Sequence, residues 1–424
     1  MRDRRRVDVV GVGAGPAGVA AAAAAAAQGR RVLVIDQGLR PGGQVWRHRF
    51  EAGLPLRART LLALARGAGV TFAAEARVVD ANSPRELIVD FRGRLATVGT
   101  EAIILATGAK ERFLPFPGWT LPGVTGVGGL QALLKSGLRL PAKRVVLAGT
   151  GPLLFPVAAS LTKAGADVVL VAEQVSALTV VGFGAALLRS PHKLLEGLRY
   201  RATWLASPYR TSSWVTRAEG EGRLRAVTVS ESGRLRTIEC DWLGAAMGLV
   251  PNTELAQLLG CSTTNDGIDV DAQQQTSIAG IWAAGECTGV KGEDAGIAEG
   301  EIAGRAASGE REVIASSALL RARNAGRRFG RRLSTTFAPR PEVLALAESD
   351  TIICRCEDVR RDAIDPAWTQ RQAKLWTRVG MGACQGAVCG PACSALFGWG
   401  GNAVRPPLNS PALGAWAETL PPER

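Results

Sequence analysis

Residues 7–36, VDVVGVGAGPAGVAAAAAAAAQGRRVLVID, decide the fold. The short apolar run at 7–12 predicts a strand, the alanine-rich stretch predicts a helix through Gln28, and RVLVID predicts a second strand. Three glycines in GxGxxG spacing separate the first strand from the helix, and the second strand ends on an acid. This order is the dinucleotide-binding pattern in the strand–turn–helix context that it requires.

Each residue of this pattern has a physical role. Gly13 permits the tight turn, Gly15 lets the backbone reach a pyrophosphate, and Gly18 lets the helix pack closely on the strand. The helix N-terminus faces the phosphates, and Asp36 can accept hydrogen bonds from ribose hydroxyls. We therefore predict a nucleotide site that includes Gly13, Gly15, Pro16, Ala17, Gly18, Asp36 and Gln37.

A second unit of the same kind begins at Arg144. Strand RVVLAG leads into GTGPLL (149–154), a helix to Ala164, and a strand that ends at Glu173. Leu154 replaces the third glycine, which predicts a displaced helix and a crowded pyrophosphate site. The unit either holds a nucleotide in a different way or is a retained shell with a structural role. In the first case Glu173 favours NADH, but Leu154 argues against NAD(P)H as a cofactor.

Length and composition limit the remaining possibilities. A chain of 424 residues predicts two or three domains, and 46% apolar with 21% charged residues is ordinary for a globular protein. The net charge of +13 is scattered, without a basic strip interleaved with aromatic residues, so no nucleic-acid partner is predicted. An acidic protein or an anionic membrane surface fits this charge better. No stretch is apolar and long enough to span a bilayer.

The N-terminus and the cysteines bear on location. Arg4–Arg6 and the apolar residues after them imitate a signal peptide, but the glycine spacing predicts the first strand of the mature fold. Eight cysteines with a CxC pair and no secretion signal predict a reducing compartment, the cytoplasm. With two histidines in the chain and no nucleophile paired to either, no catalytic side chain is predicted.

Three further segments extend the first unit. Ala106-Thr107-Gly108 ends one apolar strand, Gly285-Glu286 ends another, and EDAGIAEGEIAGRAA then begins a helix whose N-terminus can point at a cofactor ring. The whole order resembles the FAD-dependent pyridine-nucleotide–disulfide oxidoreductase superfamily. The resemblance implies FAD as the first nucleotide, with Glu286 holding the ribityl chain where aspartate is usual. It implies an α/β fold with two Rossmann-like dinucleotide-binding domains of the glutathione-reductase type.

The disulfide-reductase branch of that superfamily is excluded. Its redox-active cysteine pair is missing from the segment PGGQVW (41–46), whose Gly43 and Gln44 we include in the FAD site, and from the second unit. Cys240, Cys261 and Cys287 have no sequence partner, which predicts buried, unreactive thiols.

Two cysteine pairs stand near the C-terminus. Cys354 and Cys356 form a CxC, and Cys384 and Cys389 lie within GMGACQGAVCGP. Thiolates on two loops suit an iron–sulfur cluster or zinc, and the CxC spacing favours the cluster because zinc sites generally use CxxC. Glycines beside Cys384 leave backbone amides free to donate to sulfur.

The pieces CRCEDV, AKLWTRVGMGACQG and AVCG resemble the bacterioferritin-associated-ferredoxin-like (BFD-like) [2Fe–2S] domain. Together with GTGPLL, the late Gly-Glu pair and APRPE, they resemble the larger (α) flavoprotein subunit of bacterial heteromeric amine dehydrogenases. Opine oxidases, D-hydroxyproline and proline dehydrogenases and hydrogen cyanide synthase belong to that family. The second cysteine pair encloses four residues here instead of two, so Cys393 is an alternative fourth ligand, although Cys389 is favoured.

The resemblance implies a division of labour. A catalytic β subunit, amine-oxidase-like and FAD-dependent, oxidises the C–N bond of an amino acid or opine. Electrons then reach the cluster and flavin of this chain and pass to a quinone or another carrier. The family also allows FMN at the interface, a small γ ferredoxin-like subunit, and attachment to the inner face of the cell membrane. The rivals are a self-sufficient NAD(P)H:acceptor reductase and a flavin-free scaffold, which the intact glycine loop disfavours.

Three domains are predicted on these grounds. Residues 1–118 and 240–315 form a discontinuous FAD-binding domain, and residues 119–239 form an NAD(P)-binding-like domain. Residues 316–424 form a linker helix and a small, mainly α, BFD-like iron–sulfur domain.

Overall fold

The computed structural model describes residues 3–48, 53–310, 317–400, 404–411 and 414–415. Its strands are β1 (Asp3–Val12), β2 (Val32–Ile35), β3 (Thr71–Ala73), β4 (Ala76–Ser83), β5 (Glu86–Phe91), β6 (Arg94–Leu105), β7 (Ala109–Glu111), β8 (Val124–Gly126), β9 (Arg144–Gly149), β10 (Asp167–Glu173), β11 (Tyr209–Arg210), β12 (Ser213–Glu219), β13 (Ala226–Glu231), β14 (Arg234–Glu239), β15 (Trp242–Ala246), β16 (Leu249–Pro251), β17 (Thr263–Thr264), β18 (Gly267–Ile268), β19 (Ile281–Ala283), β20 (Ile352–Cys354) and β21 (Val359–Arg360). Its helices are α1 (Pro16–Ala27), α2 (Leu56–Gly67), α3 (Val127–Lys135), α4 (Leu154–Lys163), α5 (Ala177–Ala186), α6 (Pro191–Ala202), α7 (Glu254–Leu258), α8 (Glu293–Ala307), α9 (Ser317–Thr336), α10 (Pro341–Leu344), α11 (Gln370–Thr377) and α12 (Cys389–Phe397).

The first compact unit comprises residues 1–110, 250–331 and 403–424. Its sheet has the order β3-β2-β1-β6-β5-β4, and β19 pairs with the C-terminal end of β6. The strands around β1 are parallel, while β4, β5 and β6 form an antiparallel meander. Alternate residues of β1 bury opposite faces, since Val9 packs with the helices α1 and α8 and Val10 packs on the other side of the sheet.

Helices α1 and α8 cross with backbone-to-backbone contact. Gly300 and Gly304 lie one turn apart on α8, and a Cβ at either would overlap the carbonyl oxygen of Ala17 or Ala21 on α1. The alanine run and the glycine repeat are therefore two halves of one close interface. They place the N-termini of both helices in the same unit, where the predicted nucleotide site lies.

The second compact unit comprises residues 111–249 and 332–402. Its parallel sheet has the order β11-β10-β9-β15-β8, and β12, β13 and β14 form a separate antiparallel sheet. Helices α3 and α4 cover one face of the parallel sheet through Leu130, Leu154 and Val157. The cysteine segment forms a small cluster of its own around Ile353, Cys354 and Cys389.

The elements of both βαβ units follow the sequence prediction, with two differences. Strand β1 begins at Asp3 instead of Val7, because β6 is long enough to pair with the arginine-rich start, as at Arg4 and Thr97. In the second unit α4 begins only at Leu154, whereas α1 begins directly after Gly15. The leucine at the third glycine position thus coincides with a helix that starts two residues, or about half a turn, later than its counterpart.

The contacts divide the chain in two, and they gather residues 332–402 with the second βαβ unit. The division into three domains, with boundaries at 118, 239 and 315, stays a prediction. Within the described ranges, we find no helix that combines the length and apolar character needed to cross a membrane.

Candidate functional site

The first glycine loop has no room for a side chain at Gly13 or Gly18 but has open space at Gly15. Gly13 has a φ of +104°, and a Cβ there would overlap the Ala106 carbonyl oxygen, while a Cβ on Gly18 would overlap the Gly13 carbonyl oxygen. A Cβ on Gly15 would meet nothing within 4 Å. Gly15 also caps α1 without a side-chain hydrogen bond, so the first amides of the helix are available to an anion.

The segment after β2 folds back over this loop. The Gly42 amide donates to the Ala14 carbonyl at 2.7 Å, and a Cβ on Gly43 would lie 2.9 Å from the Gly15 Cα. The buried indole N–H of Trp46 has no hydrogen-bond partner in the part of the chain that is described. A buried donor without a partner is uncommon in folded proteins. The side chains of Gln37 and Gln44 are exposed.

Asp36 stabilises the first glycine loop and the segment after β2 through hydrogen bonds to two backbone amides. Its carboxylate accepts the Ala14 amide at 2.6 Å and the Gly38 amide at 2.7 Å, one on each oxygen. Each oxygen has a further lone pair, so the carboxylate can still accept a hydroxyl. Its contact with a ribose stays a prediction.

The Ala106–Gly108 turn is fastened by a residue that no sequence motif singles out. The Thr107 hydroxyl donates to the Asn252 carbonyl at 2.7 Å, and the Asn252 side-chain amide donates to the Thr107 carbonyl at 2.9 Å. Gly108 has a φ of +70° and open space beside it. The pair Thr107–Asn252 fixes the turn against the glycine loop, and no sequence pattern links two residues so far apart.

Gly285 and Glu286 lie at the N-terminal end of α1. A Cβ on Gly285, whose φ is +83°, would lie 2.7 Å from the Ala17 Cβ. Glu286 is half-buried, and desolvation raises the pKa of its carboxyl although Lys291 opposes the shift. No hydrogen bond or ion pair to this carboxylate exists among the residues that the structure describes. An acceptor without a partner here fits the role that the resemblance implies for Glu286.

Below this turn lies a buried ionic network that the sequence motifs did not predict. Glu299, with a fully buried side chain, accepts the Gly285 amide at 3.0 Å, the Thr288 hydroxyl at 3.1 Å and the Lys291 ammonium at 2.7 Å. Arg327 lies 3.7 Å away. An acid between Gly296 and Gly300 is the signal that was available, because Glu299 lies about one turn from Gly296 on the same side of α8. The network fixes the backbone of the Gly285–Glu286 turn.

Replacing Glu299 by glutamine should destabilise the first unit by about 3–5 kcal/mol, because it leaves the Lys291 charge buried without its partner. Burial already lowers the pKa of Lys291 against the opposing effect of Glu299. The variant's deficit should therefore shrink as pH rises, since Lys291 can then be buried uncharged. Glu301→Gln, a half-exposed position on the same helix, should cost less than about 1 kcal/mol. Urea unfolding at several pH values measures both; equal costs would contradict the structural role of Glu299.

The four predicted metal-ligand cysteines line one cleft of about 360 Å³ in the second unit, together with Trp119, Arg355 and Val388. Cys356 is within hydrogen-bonding reach of Cys384, and Cys354 of Cys389. Cys393 contacts Cys389, and both line a second small recess beside Gly380, Gly386 and Trp399. Cys389 lines the larger cleft as well, whereas Cys393 is not among its lining residues.

Backbone amides surround these sulfurs. Burial opposes ionisation of Cys384, but amides of Val388, Gly386 and Ala387 and the Cys356 thiol outweigh it and lower the pKa of Cys384. The Cys393 thiol and burial raise the pKa of Cys389. Within the described residues, no three metal-binding side chains are close enough to hold a single metal ion. The structure thus brings the four thiols to one cleft with amide donors beside Cys384, and the [2Fe–2S] cluster stays a prediction.

The remaining cysteines are buried, as the sequence predicts. Desolvation raises the pKa of Cys240 to about 12 and of Cys287 to about 11. Cys287 also donates to the Leu105 and Ala284 carbonyls at 3.4 and 3.3 Å. Neither thiol is set up as a nucleophile, because the thiolate is disfavoured at both.

A model of the family described as pyridine nucleotide-disulphide oxidoreductase matches residues 7–307. The chain belongs to this family. Membership establishes a flavin oxidoreductase fold with Rossmann-like domains and supports FAD as a cofactor.

Within the family, the chain is similar to components of known complexes. It is 34% identical to hydrogen cyanide synthase subunit HcnB of Pseudomonas aeruginosa, over 90% of this chain and 91% of that protein. It is 34% identical to one of the subunits of the opine oxidase of Rhizobium meliloti, over 98% of this chain and 99% of that protein. The predicted resemblance to this group of proteins is confirmed.

A solved structure shares the fold over almost the whole length. The crystal structure of L-proline dehydrogenase from P. horikoshii superposes with a TM-score of 0.72 at 20% identity. The match covers 98% of this chain and 80% of that one, so it extends beyond residue 307 into the cysteine segment. The likeness concerns the fold alone.

Proposed function

We propose that this chain is the flavin- and iron–sulfur-containing electron-transfer subunit of a heteromeric dehydrogenase. A partner β subunit with its own FAD would oxidise the C–N bond of an opine, hydroxyproline, proline or glycine-type substrate. The observation that carries the proposal is the end-to-end similarity to the opine oxidase component, 98% of one chain against 99% of the other. Because that relative is named as one subunit of an oxidase, we propose that the substrate-oxidising site lies on another chain.

The first glycine loop would hold FAD. Gly15 offers open space for the pyrophosphate, the first turn of α1 offers amides, and Glu286 offers an acceptor with no partner of its own. When bound, flavin accepts an electron pair and can release the electrons singly. The chain's own contribution would be to bind and orient the cofactor, since Thr107 and Asn252 fix the turn at 106–108 and Glu299 fixes the turn at Gly285.

The cleft lined by Cys354, Cys356, Cys384 and Cys389 would hold a [2Fe–2S] cluster in a BFD-like module. Amides at residues 386–388 would stabilise the thiolates, since amide donation to sulfur favours the charged form. Cys393 lies outside the cleft, which supports Cys389 as the fourth ligand. A cluster exchanges one electron at a time, so it suits the passage of electrons out of a two-electron flavin site.

The partners follow from the same resemblance. Besides the β subunit, the proposal includes FMN at the interface with it and a small ferredoxin-like γ subunit, with a quinone or another carrier as final acceptor. We place the complex in the cytoplasm or at the inner face of the membrane. The charge of +13 suits an acidic partner or an anionic surface.

The isolated chain should show no turnover of proline, hydroxyproline, glycine or opines with an artificial electron acceptor, whereas the complex recovered from the native source should oxidise one of them. The proposal leaves substrate oxidation to the β subunit, and in the described part of this chain the buried Glu299 and Lys291 are engaged with each other. The measurement is dye reduction by the chain alone, by the complex, and by the complex treated with a chelator. Turnover by the homogeneous chain would contradict the proposed division of labour.

A further inference from the structure

The two glycine loops of this chain have the same design but different surroundings. A Cβ at Gly15 would meet nothing within 4 Å, whereas one at the corresponding Gly151 would lie 3.5 Å from the ring of Phe337. Phe337 is 9% exposed and packs edge-on against Phe183 with ring centroids 4.9 Å apart. In the second loop the Phe337 ring lies in van der Waals reach of Gly151, whose φ of +87° differs from the −72° of Gly15.

The backbone after Phe337 is bound by polar groups of the same unit. The Thr150 hydroxyl donates to the Phe337 carbonyl at 3.2 Å. The Gln174 side chain donates to the Ala338 carbonyl at 2.9 Å and accepts the Arg340 amide at 3.0 Å. Gln174 is fully buried, and both the N–H and the C=O of its side-chain amide form hydrogen bonds with the backbone of residues 338–340.

The acid of the second unit is also engaged. Glu173, 1% exposed, accepts the Gly151 amide at 2.8 Å and the Val175 amide at 3.2 Å. Burial raises the pKa of this carboxyl to about 7 although these bonds oppose the shift. In a dinucleotide site the loop amide faces phosphate and the acid takes ribose hydroxyls. Here the Gly151 amide is bound by Glu173 and is therefore not free for a phosphate.

We propose that the glycine loop of the second βαβ unit is the docking site of the chain's own segment Phe337–Arg340, and that it does not bind nicotinamide dinucleotides. The Phe337 ring contacts Gly151, and the Gln174 side chain is hydrogen-bonded to the Ala338 carbonyl of the segment. The site therefore binds a peptide of this chain, and the proposal stands apart from which cofactors the chain carries.

The docked segment leads directly to the cysteine cleft. Arg340 lies over the Trp214 ring at 5.1 Å, and prolines at 339 and 341 restrict the free segment and so reduce the entropy lost on docking. The Trp119 indole donates to the Ile352 carbonyl at 2.6 Å and lines the cleft. The cysteine segment is thus attached to the rest of the second unit at two points, through Arg340 and through Ile352.

Hydrogen exchange measured by mass spectrometry tests this docking in the full chain. In the wild type the amides of Arg340 and Gly151 should be protected, and Gln174→Ala should make the Arg340 amide exchange about tenfold faster because it removes the acceptor. Gln257→Ala, at a half-exposed position on α7 in the first unit, should leave residues 337–340 unaltered. Exchange of the loop at residues 13–18 reports whether each variant is folded.

The ligand arm uses millimolar NADH, NADPH and ADP-ribose. None of them should slow exchange at residues 149–154 or displace residues 337–340 in the wild type. Protection of residues 149–154 by any of these ligands, or an unprotected Arg340 amide in the absence of ligand, would overturn the proposal. Loss of flavin or iron in a variant with unchanged exchange at both loops would bear on the proposed function and not on this docking.

Discussion

Serine at Cys389 is expected to remove the visible absorbance of an iron–sulfur centre and most of the iron and acid-labile sulfide, whereas serine at Cys393 should leave all three nearly intact. Cys389 lines the cleft with Cys354, Cys356 and Cys384. Cys393 lines the small recess beside Gly380, Gly386 and Trp399. A thiolate ligand is held ionised by the metal, so its loss leaves an iron short of a ligand and the cluster labile. The effect at Cys389 should be near-complete loss.

The two variants are closely matched, since both thiols are buried and lie one helical turn apart on α12. Both substitutions should cost similar packing energy, so a difference in iron content reports ligation. Iron and sulfide per chain decide between them. If Cys393→Ser loses the cluster and Cys389→Ser keeps it, the fourth ligand is Cys393. One zinc and no sulfide in the wild type would remove the redox role of the module.

The βαβ units could be predicted because their signals are local. The strand VDVVGV, the glycines and the helix lie within a single stretch of sequence. Gly300 and Gly304 of α8 lie where this helix packs closely against α1. The helix over 293–307 is predicted from the same kind of pattern and is confirmed. Local glycine spacing was enough to predict these units, because each of these glycines lies where another backbone segment comes close.

The contacts that fix the turns could not be predicted, because they join residues far apart in sequence. Asn252 reaches Thr107 and Gln174 reaches Arg340 through hydrogen bonds whose partners share no pattern. Leu154 predicted a displaced helix and a crowded phosphate site in the second loop, and the absence of NAD(P)H there stays a prediction. That Phe337 covers the loop depends on how the C-terminal segment returns to the second unit, which no spacing encodes.

Gly15→Trp is expected to abolish FAD retention while leaving the chain folded. Gly15 has a φ of −72°, which any residue tolerates, and its missing Cβ points into open space. An indole there fills the volume that the pyrophosphate needs, and a clash of that size costs at least about 1–3 kcal/mol, or roughly ten- to a hundredfold in affinity. Gly13 and Gly18 are unsuitable for this test, because a side chain at either would overlap backbone and disturb the fold itself.

Gly67→Trp is the matched control, since Gly67 is exposed in the same unit and a Cβ there also meets nothing within 4 Å. Flavin released by acid and quantified per chain is the measurement, with far-ultraviolet circular dichroism and iron content as checks on folding. We expect about one FAD per chain in the wild type and in Gly67→Trp, in proportion to one such loop per chain. The iron of the cysteine cleft should be unchanged in all three proteins, because the cleft belongs to the other unit. A folded Gly15→Trp protein that keeps its full flavin would show that the flavin lies elsewhere, and the open face of the first loop would then need another ligand.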